Sequence, residues 1–261
     1  MPAADQYEAD RSLQGKLRRR LARLVERRPA RRALDRAMVS FAFDDVPVSA
    51  LTHGARTLEA RGLRGTFFIS AGLAGQDSRM GRYASCEDWR SLHAEGHELG
   101  CHTYSHLDCG RADEAAIEAD IERNQSVIGD WGAQFSTFAY PYGDVSLAAK
   151  KVTARRFKLA RGVHQGLIQP GVDLNQAPAI AIQGPAGGIH ARRWLEYAVS
   201  RRAWVIFFTH DVSNDPSPAG CTPSIFREIV DRARGFPCDI VTVAEGAERL
   251  LAASAKGGTL K

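Results

Sequence analysis

Short apolar runs rich in β-branched and aromatic residues punctuate the chain. They cover 39–43 (Val39-Ser40-Phe41-Ala42-Phe43), 66–69, 97–101, 135–140, 157–160, 179–182, 204–208 and 240–243. Their length suits strands better than buried helices. Between them, apolar residues recur three and four apart and predict helices over 49–61, 87–95, 111–130, 146–155, 190–202, 223–234 and 244–253. Strands that alternate with helices need crossover connections and therefore build a mainly parallel sheet. Seven or eight such β/α units predict an α/β fold of the (β/α) barrel type, distorted or incomplete. A doubly wound open sheet is the second choice, but the place of its Gly-rich phosphate loop is taken by Asp44-Asp45-Val46-Pro47.

In a barrel, reactive groups collect at the C-terminal ends of strands. Asp44 and Asp45 follow the first run and His102-Thr103-Tyr104-Ser105-His106 follows the third. Tyr140-Pro141-Tyr142-Gly143 ends the fourth, and Thr209-His210-Asp211 the seventh. Four polar clusters thus converge on one rim. Two histidines four apart plus one carboxylate supply the three protein ligands of an open catalytic metal site, leaving the second carboxylate as a base. Singly, an Asp-Asp pair closes turns and such a His pair is ordinary polar surface. Together, the repulsion between adjacent carboxylates at a strand end is relieved by a cation held against one of them. An Asp-His-His set takes zinc first, with cobalt, nickel or iron as alternatives.

The other polar and aromatic candidates read as structure. His53, His93, His97, His164 and His190 have no partners at comparable spacing, Trp204, Phe207 and Phe208 belong to a core strand, and Trp89, Trp131 and Trp194 fall in helical patterns.

With 261 residues and no Pro- or Gly/Ser-rich linker or internal repeat, one large domain is expected. No apolar stretch approaches the roughly 20 residues of a membrane span. Five scattered cysteines suit a reducing compartment, and the first residues lack the apolar core of a secretory signal, so a cytoplasmic protein is expected. The net charge of +5 is concentrated near the start, in Lys16, Arg18, Arg19, Arg20, Arg23, Arg27, Arg28, Arg31 and Arg32. Leu13, Leu17, Leu21 and Leu24 sit among these at helical spacing, which predicts a basic amphipathic helix. Its ordinary role is to dock by its leucines with the basic face in solvent; its sharper one is peripheral contact with an anionic inner-membrane surface. Nothing accompanies the charge that reads nucleic acid. The division is therefore an N-terminal basic segment, 1–37, and a catalytic domain, 38–261.

At this point the chain resembles the polysaccharide deacetylases of the NodB homology type, carbohydrate esterase family four, over roughly 38–245. Phe43-Asp44-Asp45 is similar to the first motif, which implies Asp44 as general base and Asp45 as metal ligand. His102 and His106 match the second motif, His-Ser/Thr-x-x-His, as the other ligands. Pro141-Tyr142 resembles the third, implying the Tyr142 backbone N–H in an oxyanion hole and Tyr140, Pro141 and Arg161 along the substrate groove. Phe207-Phe208-Thr209-His210 resembles the fifth and implies His210 as general acid.

The resemblance implies a zinc-type hydrolase that removes N-acetyl groups from N-acetylhexosamines of a bacterial exopolysaccharide or its undecaprenyl-linked precursor, near the holdfast-polysaccharide subgroup. Deformylation of a lipid-linked amino sugar and non-catalytic glycan binding are the alternatives. Two departures stand out. The Arg usually found beside the Pro-Tyr pair, which braces the base, is replaced by Phe138-Ala139-Tyr140, and the fourth motif's Asp is not recognisable; Asp173 and Arg161 are the groups available to compensate.

Overall fold

The structure is a computed structural model that describes residues 13–31 and 33–255. In chain order, α1 (Leu13–Ala22) precedes β1 (Ala37–Asp44), and a wide helical turn, Ala50–Ala55, runs into α2 (Arg56–Glu59). Then come β2 (Thr66–Ile69), a small hairpin β3 (Asp77–Ser78) and β4 (Gly81–Arg82), α3 (Cys86–Ala94), β5 (Glu98–Cys101) and α4 (Glu114–Gly129). The second half holds β6 (Thr137–Ala139), α5 (Leu147–Arg156), β7 (Leu159–Arg161), β8 (Ile180–Ala181), α6 (Gly187–Arg201), β9 (Trp204–Thr209), α7 (Pro223–Arg234), β10 (Cys238–Ile240) and α8 (Val243–Ala255).

The main sheet is parallel throughout and runs β7-β6-β5-β2-β1-β9-β8, with β10 paired to the first residues of β1. It curls on itself, and the seam is spanned by the segment after β7: Ala177 bridges Arg161, while Ile180 and Ala181 pair with β9. The result is the distorted barrel expected. Helix starts are locally encoded. Ser85 and Asp88 form a reciprocal capping box on α3, and the side chains of Asp113, Ser146 and Thr222 cap α4, α5 and α7.

Alternation along the strands divides two cores. Val39, Phe41 and Phe43 join the layer between sheet and helices, with Phe67, Cys101, Phe138, Tyr140, Val205 and Phe207. Met38 and Ala42 join the barrel interior, with Phe68, Ala139, Leu159, Ile206 and Phe208. Ser40 shares that interior parity and accepts a hydrogen bond from the Trp204 indole at 2.9 Å. Because the strand period is two, the next inward residues at the C-terminal end are fixed: Asp44 on β1, His102 after β5, Arg161 on β7 and His210 after β9. At the other end of the interior, Glu98 accepts from Thr66 Oγ1 and the Ala244 N–H, each at 2.8 Å, and from Thr137. It is a satisfied structural acid.

The 77–82 hairpin was not expected, since two-residue strands carry no readable alternation. The helix expected over 49–61 begins as the wide turn, and the last apolar run is split between β10 and the start of α8. Among the described residues no helix is long and apolar enough to cross a membrane.

Candidate metal centre and catalytic rim

β1 ends in a sharp reversal. Asp45 and Val46 adopt left-handed backbone, with φ of 58° and 52°, and the Val46 N–H returns to Asp44 O at 2.6 Å. This swings the Asp45 carboxylate out of line with the strand and over the barrel mouth, where it meets the histidine loop. That loop is folded around Asp120 of α4: the N–H groups of Tyr104 and Ser105 donate to one carboxylate oxygen at 2.7 and 3.0 Å, and Ser105 Oγ donates to the other at 2.9 Å. Thr103 (φ 60°) and His106 (φ 56°) are left-handed too, as is Tyr142 (φ 59°) in the turn after β6. Of the seven described non-glycine residues with positive φ, these five line one site, although each such residue costs about 1–3 kcal/mol. Val46 and Thr103 are β-branched, for which the region is least favourable.

The Nε2 atoms of His102 and His106 lie 3.6 and 3.4 Å from Asp45 Oδ1. Ligands of a tetrahedral ion bound at about 2.1 Å lie roughly 3.4 Å apart, so the spacing fits a first-row divalent metal. Asp45 Oδ1 is buried and has no hydrogen-bond partner, an arrangement that a cation would relieve. His102 Nδ1 lies 2.8 Å from Ala139 O; donation to that carbonyl puts the remaining lone pair on Nε2, toward Asp45. Burial and the charge of His106 lower the His102 pKa to about 4 against the opposing pull of Asp44 and Asp45, which keeps it neutral and able to ligate. A second acidic and histidine cluster, Glu59, Glu95 and His97, is already satisfied: Arg56 bonds both glutamates, and His97 sits between Glu59 and the Gly65 N–H.

Asp44 lies beneath the triad, inside the barrel. Arg161, with no exposed surface, donates to its carboxylate from the floor of the site. The guanidinium carbon stands 4.8 Å from the Phe68 ring centre and 4.7 Å from that of Phe208. Burial pushes the Asp44 carboxyl up, but Arg161, with His102 and His210, more than reverses this and holds it below the usual carboxylate value. Asp44 is thus ionised and braced. Arg161 was expected both along the substrate groove and as a group available to compensate for the missing third-motif arginine; its burial and its bond to Asp44 fit the second and not the first.

Tyr140, expected along the groove, lies away from it. It has the outward parity of β6, and its hydroxyl bonds Thr153 Oγ1 at 2.7 Å and Asn175 O at 2.9 Å in the helix layer, away from the groove. Pro141 is buried at the start of the turn, leaving Tyr142 as the exposed member, its ring centre 4.4 Å from that of His106 in an edge-to-face arrangement. Asp173 is remote from the rim and pairs with buried Lys150 at 2.5 Å. His210 reaches the interior end, with Nδ1 3.2 Å from the backbone carbonyl of Ala219, so its orienting acceptor is neutral. Asp211 is taken up by the N–H and hydroxyl of Ser217.

Residues 31–156 match the profile of the polysaccharide deacetylase family. That match spans 126 of the chain's 261 residues. Among curated proteins, a chitin deacetylase of Pestalotiopsis sp is 28% identical over 103 residues, 38% of this chain and 32% of that one. A gellan lyase of Bacillus sp is 35% identical over 89 residues, 33% of this chain and 3% of that one. This chain therefore spans a third or less of the length of these relatives. Among solved structures, a T48 deacetylase with substrate superposes with a TM-score of 0.58 at 16% identity, covering 84% of this chain and 92% of that one. A family 4 acetyl xylan esterase from Clostridium thermocellum, in complex with a cobalt ion, gives 0.56 at 20% identity over the same shares. These likenesses show the shared fold alone.

Sequence reasoning passed over Asp120, Ala139, Ala219 and Tyr83. The first is one acid among several on α4, and the next two act through backbone carbonyls, for which residue type carries no signal. Tyr83 is brought beside Pro47 by the hairpin, close enough for Asp45 to add to the effect of burial in raising its phenol pKa.

Proposed function

We propose that the chain is a metal-dependent N-deacetylase acting on N-acetylhexosamine units of a bacterial exopolysaccharide or its lipid-linked precursor. The observation that carries this reading is the pairing of an ionised, arginine-braced carboxylate with an adjacent Asp-His-His triad at metal-ligand spacing. A divalent ion, zinc by preference, held by Asp45, His102 and His106 would polarise the acyl carbonyl and acidify water.

The protein groups account for the proton movements. Asp44 accepts a proton as the water oxygen bonds to the carbonyl carbon. The Tyr142 backbone N–H is assigned to the developing oxyanion, a kind of donor worth roughly 3 kcal/mol. When the carbon–nitrogen bond breaks, His210 gives a proton to the departing amine, and acetate and a free amino sugar leave. Tyr142, exposed beside His106, and Tyr83, near Asp45, are the aromatic rings assigned to stack on a sugar.

The test is acetate release from N-acetylglucosamine oligomers by the purified chain, with chelator, with metal restored, and with Asp44→Ala. Metal-dependent release that Asp44→Ala abolishes is expected. Release by Asp44→Ala at the parent rate would remove the base assignment, and formate release from matched N-formyl substrates in place of acetate would move the reading to a deformylase.

A further inference from the structure

The described leucines of α1 and the turn after it face away from the domain. Leu17, Leu21 and Leu24, spaced i, i+4 and i+7, are 57%, 48% and 66% exposed. Among the α1 residues whose side chains are described, the two buried ones are small: Gly15 is buried and Ala22 has no exposed surface. The helix is held to α5 and to the strap before β8 by polar bonds. Lys150 Nζ donates to Ala22 O at 2.7 Å, Asn175 Nδ2 to Glu26 O at 3.0 Å, and the Arg28 N–H to Asp173 Oδ1 at 2.9 Å, while the Arg28 side chain bonds the carbonyls of Phe157 and Lys158. These anchors leave the leucines facing out, beside exposed Arg20, Arg23 and Arg27; exposed Glu26 is the one acid in this stretch.

The ridge also adjoins the catalytic rim. Arg23 lies close enough to His164 to reinforce burial in lowering that imidazole's pKa. The neighbouring Val163 packs against Gly143, where an added Cβ would lie 2.2 Å from a Val163 methyl, and Gly143 follows Tyr142.

We infer that the leucine and arginine ridge of α1 docks on the surface of an anionic phospholipid bilayer. Leucines would enter the acyl boundary while arginines meet phosphate, the pattern of an interfacial helix. A second copy of the chain fits less well, since ridge against ridge would set arginine on arginine. The docking does not depend on the deacetylase reading; its consequence does, namely that the groove beside the ridge receives a lipid-linked oligosaccharide at the bilayer surface.

The test is co-sedimentation of the full chain with phosphatidylcholine vesicles and with phosphatidylcholine–phosphatidylglycerol vesicles, at low and high salt. The variants are Leu17→Glu/Leu21→Glu and Arg20→Glu/Arg23→Glu, checked for unchanged melting temperature and for acetate release from soluble oligomers. Binding to the anionic vesicles alone is expected, weakened by salt and by at least about tenfold in each double variant. Failure of the full chain to sediment, or binding indifferent to the leucine changes, overturns the docking, as does a leucine effect confined to oligomeric state in light scattering. Acetate release reports on the deacetylase reading separately, so either can fail alone.

Discussion

Replacing Arg161 by Met tests the centre of the argument, because Arg161 and Asp44 are a buried ion pair with no solvent to stand in for either member. Met keeps the apolar contacts with Phe68 and Phe208 and removes the charge. The Asp44 carboxylate would then be left inside the barrel without its strongest counter-charge, an arrangement that costs about 3–5 kcal/mol when one partner of a buried pair is deleted. Burial, which already pushes the carboxyl up, would no longer be overcome, so its pKa should rise above the ordinary value.

The signs follow. In the parent chain a depressed carboxyl contributes stability above its unfolded pKa, and that stability is lost as pH falls through the folded value. In Arg161→Met a raised carboxyl reverses this: stability is retained below the unfolded pKa and lost as pH rises through the folded one. The deficit measured by denaturant unfolding should therefore be largest near neutrality and shrink toward pH 4. The acid limb of kcat/KM for acetate release should move to higher pH, with a loss of about 100-fold at neutrality from a misplaced and partly protonated base. Adding Asp44→Asn removes the second charge, and the double variant, though inactive, should recover about 2 kcal/mol or more of the lost stability. An Arg161→Met protein within about 1 kcal/mol of the parent and with an unmoved acid limb would refute the reasoning, as would a double variant no more stable than the single.

The remaining predictions concern the metal and the acid. Zinc at 100 times its dissociation constant should stabilise the parent by about 2.7 kcal/mol, read as a raised melting temperature, and the rise should vanish in Asp45→Asn. Asp120→Ala removes the acceptor of three hydrogen bonds that shape the histidine loop and should weaken metal binding by about 10–100-fold in a chelator competition, with the domain still folded. His210→Ala should slow release from N-acetyl amides by about 100-fold or more but leave aryl acetate hydrolysis within a few-fold, because an aryl oxide leaves without a proton. Equal losses on both substrates would place His210 outside the acid role.

The strands were legible because they are buried on both faces and read as continuous apolar runs, and their order was legible because helical patterns separate them. The rim followed, since Asp44, His102 and His210 each extend an inward series on a readable strand. Arg161 is legible both as a compensating cation and as a groove residue, because on a three-residue strand alternation cannot distinguish a cation aimed into the barrel from one on the groove wall. Tyr140 was misjudged for the opposite reason, adjacency to Pro141-Tyr142 being given more weight than its parity on β6. The orientation of α1 was hidden as well, because leucine spacing reveals a stripe and not the direction it faces; the direction is set by distant partners, Lys150, Asp173 and Asn175, which hold Ala22, Arg28 and Glu26.

The displaced arginine shows what the site requires. β6 and β7 run in register with Ala139 beside Arg161, and Ala139 contributes an inward side chain of only one carbon to the top of the barrel. The space a larger residue on β6 would occupy is open to the guanidinium from β7, while the Ala139 carbonyl remains to orient His102. The physical demand is for a cation inside the barrel, level with Asp44 and shielded from water by Phe68 and Phe208. Either neighbouring strand meets it, provided the residue has inward parity and the opposite position is small. A sequence pattern tied to one strand position therefore records one solution to this electrostatic requirement, and its absence from β6 is no sign that Asp44 lacks a brace.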